Sequence, residues 1–173
     1  MRVRGLRNGS APPGQVVGEE QGVDYRIPEL RRLAEEFRAA FVQAKANFPE
    51  YLRDRTKSFP KNSCDHASAL LGRYLQEQGY SPVQYAFNGS RGPSGPNREI
   101  HAWLEIDNII LDITASQFTD QPEAVMATRD PSWHSTFGGV KREPVVSQLH
   151  FNQRLKQEYE KAYAEIKRYL SAG

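Results

Sequence analysis

The sequence predicts an α+β domain, with helices packed on a small antiparallel sheet. Three observations carry this. Residues 28–47 and 64–78 repeat apolar side chains at helical spacing. Residues 98–114, REIHAWLEIDNIILDIT, are two β-rich runs joined by Asp107-Asn108, a dipeptide suited to a tight hairpin turn. A further helical stripe of Leu155, Tyr159, Tyr163, Ile166 and Leu170 runs through about 146–170 near the end of the chain.

In the first helix Leu30, Leu33, Phe37, Phe41 and Ala44 share one face, and Pro28 suits a first turn. A helical turn is expected at 49–56. In the helix at 64–78, Asn62 or Ser63 is placed to cap, Asp65 suits the first turn and Gly79 ends it. A strand is expected at about 82–87. The Gly- and Pro-rich segment 88–97 reads as a loop, and 115–145 as irregular with a short helix near QPEAVMAT.

The chain of 173 residues has the length of one domain, here 25–173, preceded by a basic segment, 1–24, expected to be a flexible tail. A net charge of +2 gives no basis for a nucleic-acid or membrane-surface partner. The apolar runs are too short to span a bilayer, and the first residues lack the apolar stretch of a signal peptide, so the expected location is the cytoplasm. Cys64 is the one cysteine, which leaves no disulfide within the chain. No cofactor is expected.

A turn at 107–108 makes cross-strand partners sum to 215, pairing Leu104 with Leu111. Alternation then gives one face of Ala102, Leu104, Ile106, Ile109, Leu111 and Ile113, all apolar. The other face holds His101, Trp103, Glu105, Ile110, Asp112 and Thr114. His101 and Asp112 are thus diagonal neighbours, roughly 7–8 Å apart at the backbone and within side-chain reach. An aspartate there accepts a bond from the imidazole and stabilises its charged form. The same pair would also be ordinary on the solvated face of a half-buried hairpin.

Cys64 falls at a helix start, where partial positive charge and free N–H groups favour a thiolate or an oxyanion. Its stripe, with Ala67, Ser68, Leu71 and Leu75, should turn the thiol inward. Asp65 opposes ionisation from next door, and a lone cysteine is also commonly a small buried hydrophobe. His66 lies about 200° round the helix from Cys64, the wrong side for a base.

Together these residues resemble the transglutaminase-like branch of the papain-like cysteine hydrolases. The likeness lies in a Cys at a helix start followed by Ala67, Leu71, Leu75 and Gly79, then His101-Ala102-Trp103 on a strand, then Asp112 on the next. Gly89 also fits the layout. The match covers about residues 60–115. It departs at Asn62, where the family often has Gly, and at Ile113, where it often has Pro. The resemblance implies a papain-like, transglutaminase-like core and a Cys64–His101–Asp112 triad acting through a thioester acyl-enzyme on a peptide or protein substrate. It implies Cys64 as nucleophile, His101 as its ion-pair partner and proton donor, and Asp112 as the group that orients His101. The Cys64 amide is then the oxyanion donor, joined by a side chain from Asn62 or Gln117, and Trp103 shields or supports the site. Water as acceptor gives a peptidase or amidase, the favoured expectation. An amine gives a protein-glutamine acyltransferase with the same triad. A peptide- or protein-binding module on the same fold is the non-catalytic alternative.

Other residues fit the same picture less specifically. Arg91 or Arg98 could meet an acidic substrate group, although 88–97 also reads as a solvated connector. Trp133, His134 and Phe137 lie in a loop that either borders the groove or pins itself to the core. His134 is an alternative base should the hairpin register differ. A zinc site from Cys64, His66, His101 and Asp112 has little support, with one cysteine and no HExxH, and no metal is expected.

Overall fold

The computed structural model describes residues 26–145 and 153–170. The expected tail at 1–24 and the first residues expected in the last helix, 146–152, lie outside these. Among the described residues four α-helices, α1 (Arg26–Ala44), α2 (Glu50–Thr56), α3 (Cys64–Glu77) and α4 (Gln153–Leu170), accompany five strands: β1 (Gln84–Arg91), β2 (Glu99–Ile106), β3 (Ile109–Asp112), β4 (Met126–Thr128) and β5 (Lys141–Pro144). The strands form one antiparallel sheet in the order β4-β3-β2-β1-β5. The α+β class is therefore present. Among the described residues no helix is long and apolar enough to cross a membrane.

The helices follow their stripes. Leu30, Leu33, Phe37, Phe41 and Ala44 of α1 are buried, as are Ala67, Ser68, Leu71 and Leu75 of α3 and Tyr159, Tyr163 and Ile166 of α4. Leu155 and Leu170 are only partly covered. The α3 helix ends where Gly79 adopts a φ of 90°, which lets the Tyr80 amide turn back onto the Leu75 carbonyl. These faces meet the predicted apolar face of the hairpin in one core.

The hairpin has the expected register, Ile106 with Ile109 and Leu104 with Leu111. Asp107 and Asn108 take φ values of 48° and 63°, as a two-residue turn matched to strand twist requires. Three segments differ from expectation. The β1 strand continues through Asn88, where a bulge at positive φ lies between the pairs Ala86–Trp103 and Gly89–His101. Met126–Thr128 is a strand rather than helix, because it pairs with Ile110–Asp112. Lys141–Pro144 is an edge strand on β1.

The second face of the hairpin is not solvated. Residues of the 115–140 segment fold over it, and Ala86, Trp103, Ile110, Phe118 and Phe137 form a smaller apolar cluster there, flanked by Trp133 and Val140. His101, Asp112 and Thr114 are completely buried.

Candidate functional site

The hairpin register places His101 and Asp112 in contact. The His101 Nε2–H donates to Asp112 Oδ2 at 2.6 Å. The other nitrogen, Nδ1, accepts from the Gln117 amide at 3.3 Å. Around the imidazole stand Phe118, Phe137, Trp103 and Trp133, with ring centroids 4.9, 5.3, 5.6 and 5.7 Å away. This enclosure removes water and strengthens the charge coupling within.

Asp112 accepts four hydrogen bonds. Oδ2 takes the second one from His134 Nε2 at 3.0 Å, and Oδ1 takes the Thr114 amide at 2.8 Å and the Thr114 hydroxyl at 3.1 Å. Burial opposes ionisation of this carboxyl, but the charge that His101 carries when protonated, with the hydrogen bonds from His101 and His134, prevails and holds it well below the usual carboxylate range.

Cys64 is the first residue of α3 and is buried. Beyond Leu104–Leu111 the β2–β3 pairing ends. Ser68 Oγ, one turn further along α3, reaches the Ala102 carbonyl at 3.4 Å. The helix start therefore abuts β2 at the residue after His101. Ser63 is the N-cap, but its hydroxyl donates to the Lys61 and Arg55 carbonyls and makes no cap bond. The first-turn amides thus lack the usual side-chain acceptor.

The thiol itself is not ionised. Burial pushes Cys64 up to about 12, and the negative charges of Asp65 and Asp112 add to this, against hydrogen bonds from the Asp65 and Ala102 amides. Among the described residues no hydrogen bond joins Cys64 to His101. The expectation of a thiolate at the helix start is therefore not met in the resting state: loss of hydration and two nearby carboxylates outweigh the helix end.

The remaining predicted residues are placed as follows. Asn62 is exposed, with a φ of 57°. The left-handed backbone explains why Asn can stand where the resembled family often has Gly, since both tolerate it. Trp103 is buried under His134 at 4.7 Å between centroids and donates Nε1–H to Glu105. Arg91 pairs with Glu99 and Asp120 and stacks over Phe137, Trp133 and Phe118, so its charge braces the aromatic enclosure. Trp133 is half-buried and donates Nε1–H to Asp120 at 3.1 Å. His66 faces away from the site, bonded to the Tyr159 hydroxyl at 2.6 Å. Nothing local in the sequence marks the contact of His134 with Asp112.

His101, Asp112 and His134 bring three donor atoms within 4.8 Å of one another and are, among the described residues, the set that could hold a metal ion. Their spacing suits hydrogen bonding better. Ligands about 2.0–2.1 Å from a tetrahedral zinc stand roughly 3.3 Å apart, whereas Asp112 Oδ2 is 2.6 and 3.0 Å from the two imidazole nitrogens. A groove of about 480 Å³ along α1, lined by Arg31, Glu35, Arg38, Glu123 and Val125, contains none of these groups.

Compared with family models, with curated proteins and with solved structures, the chain has no match in any of the three.

Proposed function

We propose that the protein is a cysteine hydrolase of transglutaminase-like type, cleaving an amide bond in a peptide or protein through Cys64, His101 and Asp112. The observation that carries this reading is the buried His101–Asp112 hydrogen bond at 2.6 Å, beside Ala102, whose carbonyl is met by Ser68 Oγ one turn after Cys64 at 3.4 Å. A carboxylate on Nε2 leaves Nδ1 as the nitrogen for proton exchange.

Because the resting thiol is protonated, attack is coupled to proton transfer. The Gln117 amide leaves His101 Nδ1, Nδ1 takes the Cys64 proton, and Sγ bonds to the substrate carbonyl carbon. The oxyanion meets the uncapped first-turn amides of α3. The tetrahedral species collapses to a thioester as His101 gives its proton to the departing amine. Water, deprotonated by His101, then releases the acid and restores the thiol. Throughout, Asp112 stabilises the imidazolium. An amine in place of water makes the same steps an acyl transfer.

The test is a panel of fluorogenic peptide amides and glutamine-bearing proteins, with ammonia release and primary-amine incorporation followed separately. Turnover is expected in the native chain and is absent in Cys64→Ala. Activity that persists in a folded Cys64→Ala variant contradicts the assignment. The buried, protonated thiol favours a second reading, a peptide- or protein-binding module with an inert cysteine. Binding of a peptide without any acylation of Cys64 would support it.

A further inference from the structure

We propose that His134 is a positioning residue of this site: as a neutral donor to Asp112 it holds the carboxylate and limits its pull on the His101 proton. The role presupposes His101 as the base proposed above, and it deepens that reading.

The geometry is specific. One oxygen, Asp112 Oδ2, lies 2.6 Å from His101 Nε2 and 3.0 Å from His134 Nε2. The two imidazoles are stacked, with centroids 6.1 Å apart and planes 20° from parallel. An oxygen with no proton of its own requires N–H on both sides, so His134 carries its hydrogen on Nε2. Its Nδ1 is buried and has no hydrogen-bond partner. A second proton there would create an unpaired buried N–H on a charged ring, which is costly. His134 is thereby kept as the neutral Nε2–H form, while His101 Nδ1 faces the side-chain amide of Gln117, which can turn its oxygen to a protonated ring, so His101 is the ring equipped to cycle.

The surroundings are consistent with a fixed ring. From β2, Trp103 packs against His134 at 4.7 Å and Glu105 presents a carboxylate. That carboxylate is paired with Arg142 of β5 and bonded to Trp103 Nε1. From β3 comes Asp112, and from its own loop Trp133 at 4.8 Å. A pocket of about 320 Å³, lined in part by Pro131, Phe137 and Arg142, lies beside the ring.

The chemical consequence concerns the base. A carboxylate that shares its charge with a second donor binds the imidazolium less tightly. His101 then remains available to take a proton from a thiol. Without the second donor, Asp112 concentrates its charge on His101 and holds its proton more firmly.

The test separates ring from donor. His134→Phe keeps an aromatic ring and removes the N–H, and the adjoining pocket gives room for it. His134→Gln keeps an amide N–H and removes the ring. The His101 titration midpoint is followed by NMR of the ring protons, assigned with His101→Gln. It is expected to rise by about one pH unit, tenfold in proton affinity, in His134→Phe. In His134→Gln it should lie nearer the native value than the Phe value. If His134→Phe does not fold, His134→Ala takes its place. A midpoint at or below native in the donor-free variant, or an equal rise in both variants, overturns the proposal. This readout needs no turnover, so it stands apart from the substrate panel: His134 can succeed where hydrolysis fails, and the reverse.

Discussion

The Tyr85 hydroxyl donates to the Asp65 carboxylate at 2.8 Å, fixing a negative charge at the residue after Cys64. Asp65 suits the start of α3, where helix N–H groups favour an anion. For the thiol it is adverse, second only to burial in keeping the proton on sulfur. Asp65→Asn is expected to lower the pH at which Cys64 becomes reactive to iodoacetamide, since one charge opposing the thiolate is gone. It should also cost about 0.3–1 kcal/mol of stability in denaturant unfolding. An unchanged alkylation profile would mean that Asp65 does not govern the thiol, leaving burial and Asp112.

Asp112 is held below its unfolded value of 3.8, so folding favours its ionised form. The stabilisation from this group is fully present above that value and is lost as pH falls through the range beneath it. Asp112→Asn should therefore flatten the acid-side decline in stability. Asp112→Ala, which leaves two buried imidazole donors without their acceptor, is expected to destabilise by about 3–5 kcal/mol. Urea midpoints across pH report both effects.

Burial lowers His66 below its ordinary 6.5, against the charge of Asp65 and with help from Arg55. The folded state therefore resists protonation of this ring. Its contribution is intact above 6.5 and declines as pH drops below it. His66→Gln should remove that part of the pH dependence while leaving acylation of Cys64 unaffected, since the ring bonds to Tyr159 on α4.

Gly89 faces the 137–140 segment closely. A Cβ there would lie 3.1 Å from Phe137 Cβ and from Val140 Cγ2, and 3.2 Å from Trp103 Cζ3. Gly89→Ala is expected to cost about 1–3 kcal/mol by overpacking and to loosen the wall of the His101 enclosure. Thermal unfolding measures the first effect and near-ultraviolet circular dichroism of the tryptophans the second.

The parts of this structure that were legible in the sequence are those whose cause is local. The hairpin register follows from a two-residue turn and strict alternation, and with it came the His101–Asp112 contact. The α3 start at Cys64 follows from a stripe and a first-turn acid. What stayed hidden has distant causes. Met126–Thr128 lies in a stretch of helix-forming residues, but pairing with β3 overrides that preference. Asn88-Gly89 carries the signature of a turn, and the structure uses the same positive φ for a bulge within a strand. Alternation distinguished two faces of the hairpin but not what covers the second. Phe118, Trp133, His134 and Phe137 come from an irregular segment without periodicity, so both the burial of His101 and the second donor on Asp112 depend on contacts the sequence pattern does not encode.

Proton transfer from the Cys64 nucleophile to His101 is the step on which the proposed hydrolysis depends. Its most direct measurement is the rate at which 4-nitrophenyl acetate acylates Cys64 at neutral pH, read as the mass of the adduct, in the native chain, His101→Ala and Cys64→Ala. An acetylated Cys64 is expected in the native chain, with a rate at least about 100-fold lower in His101→Ala and no adduct at that position in Cys64→Ala. Equal rates in the native and His101→Ala chains, both climbing with hydroxide toward the thiol value of about 12, would contradict it.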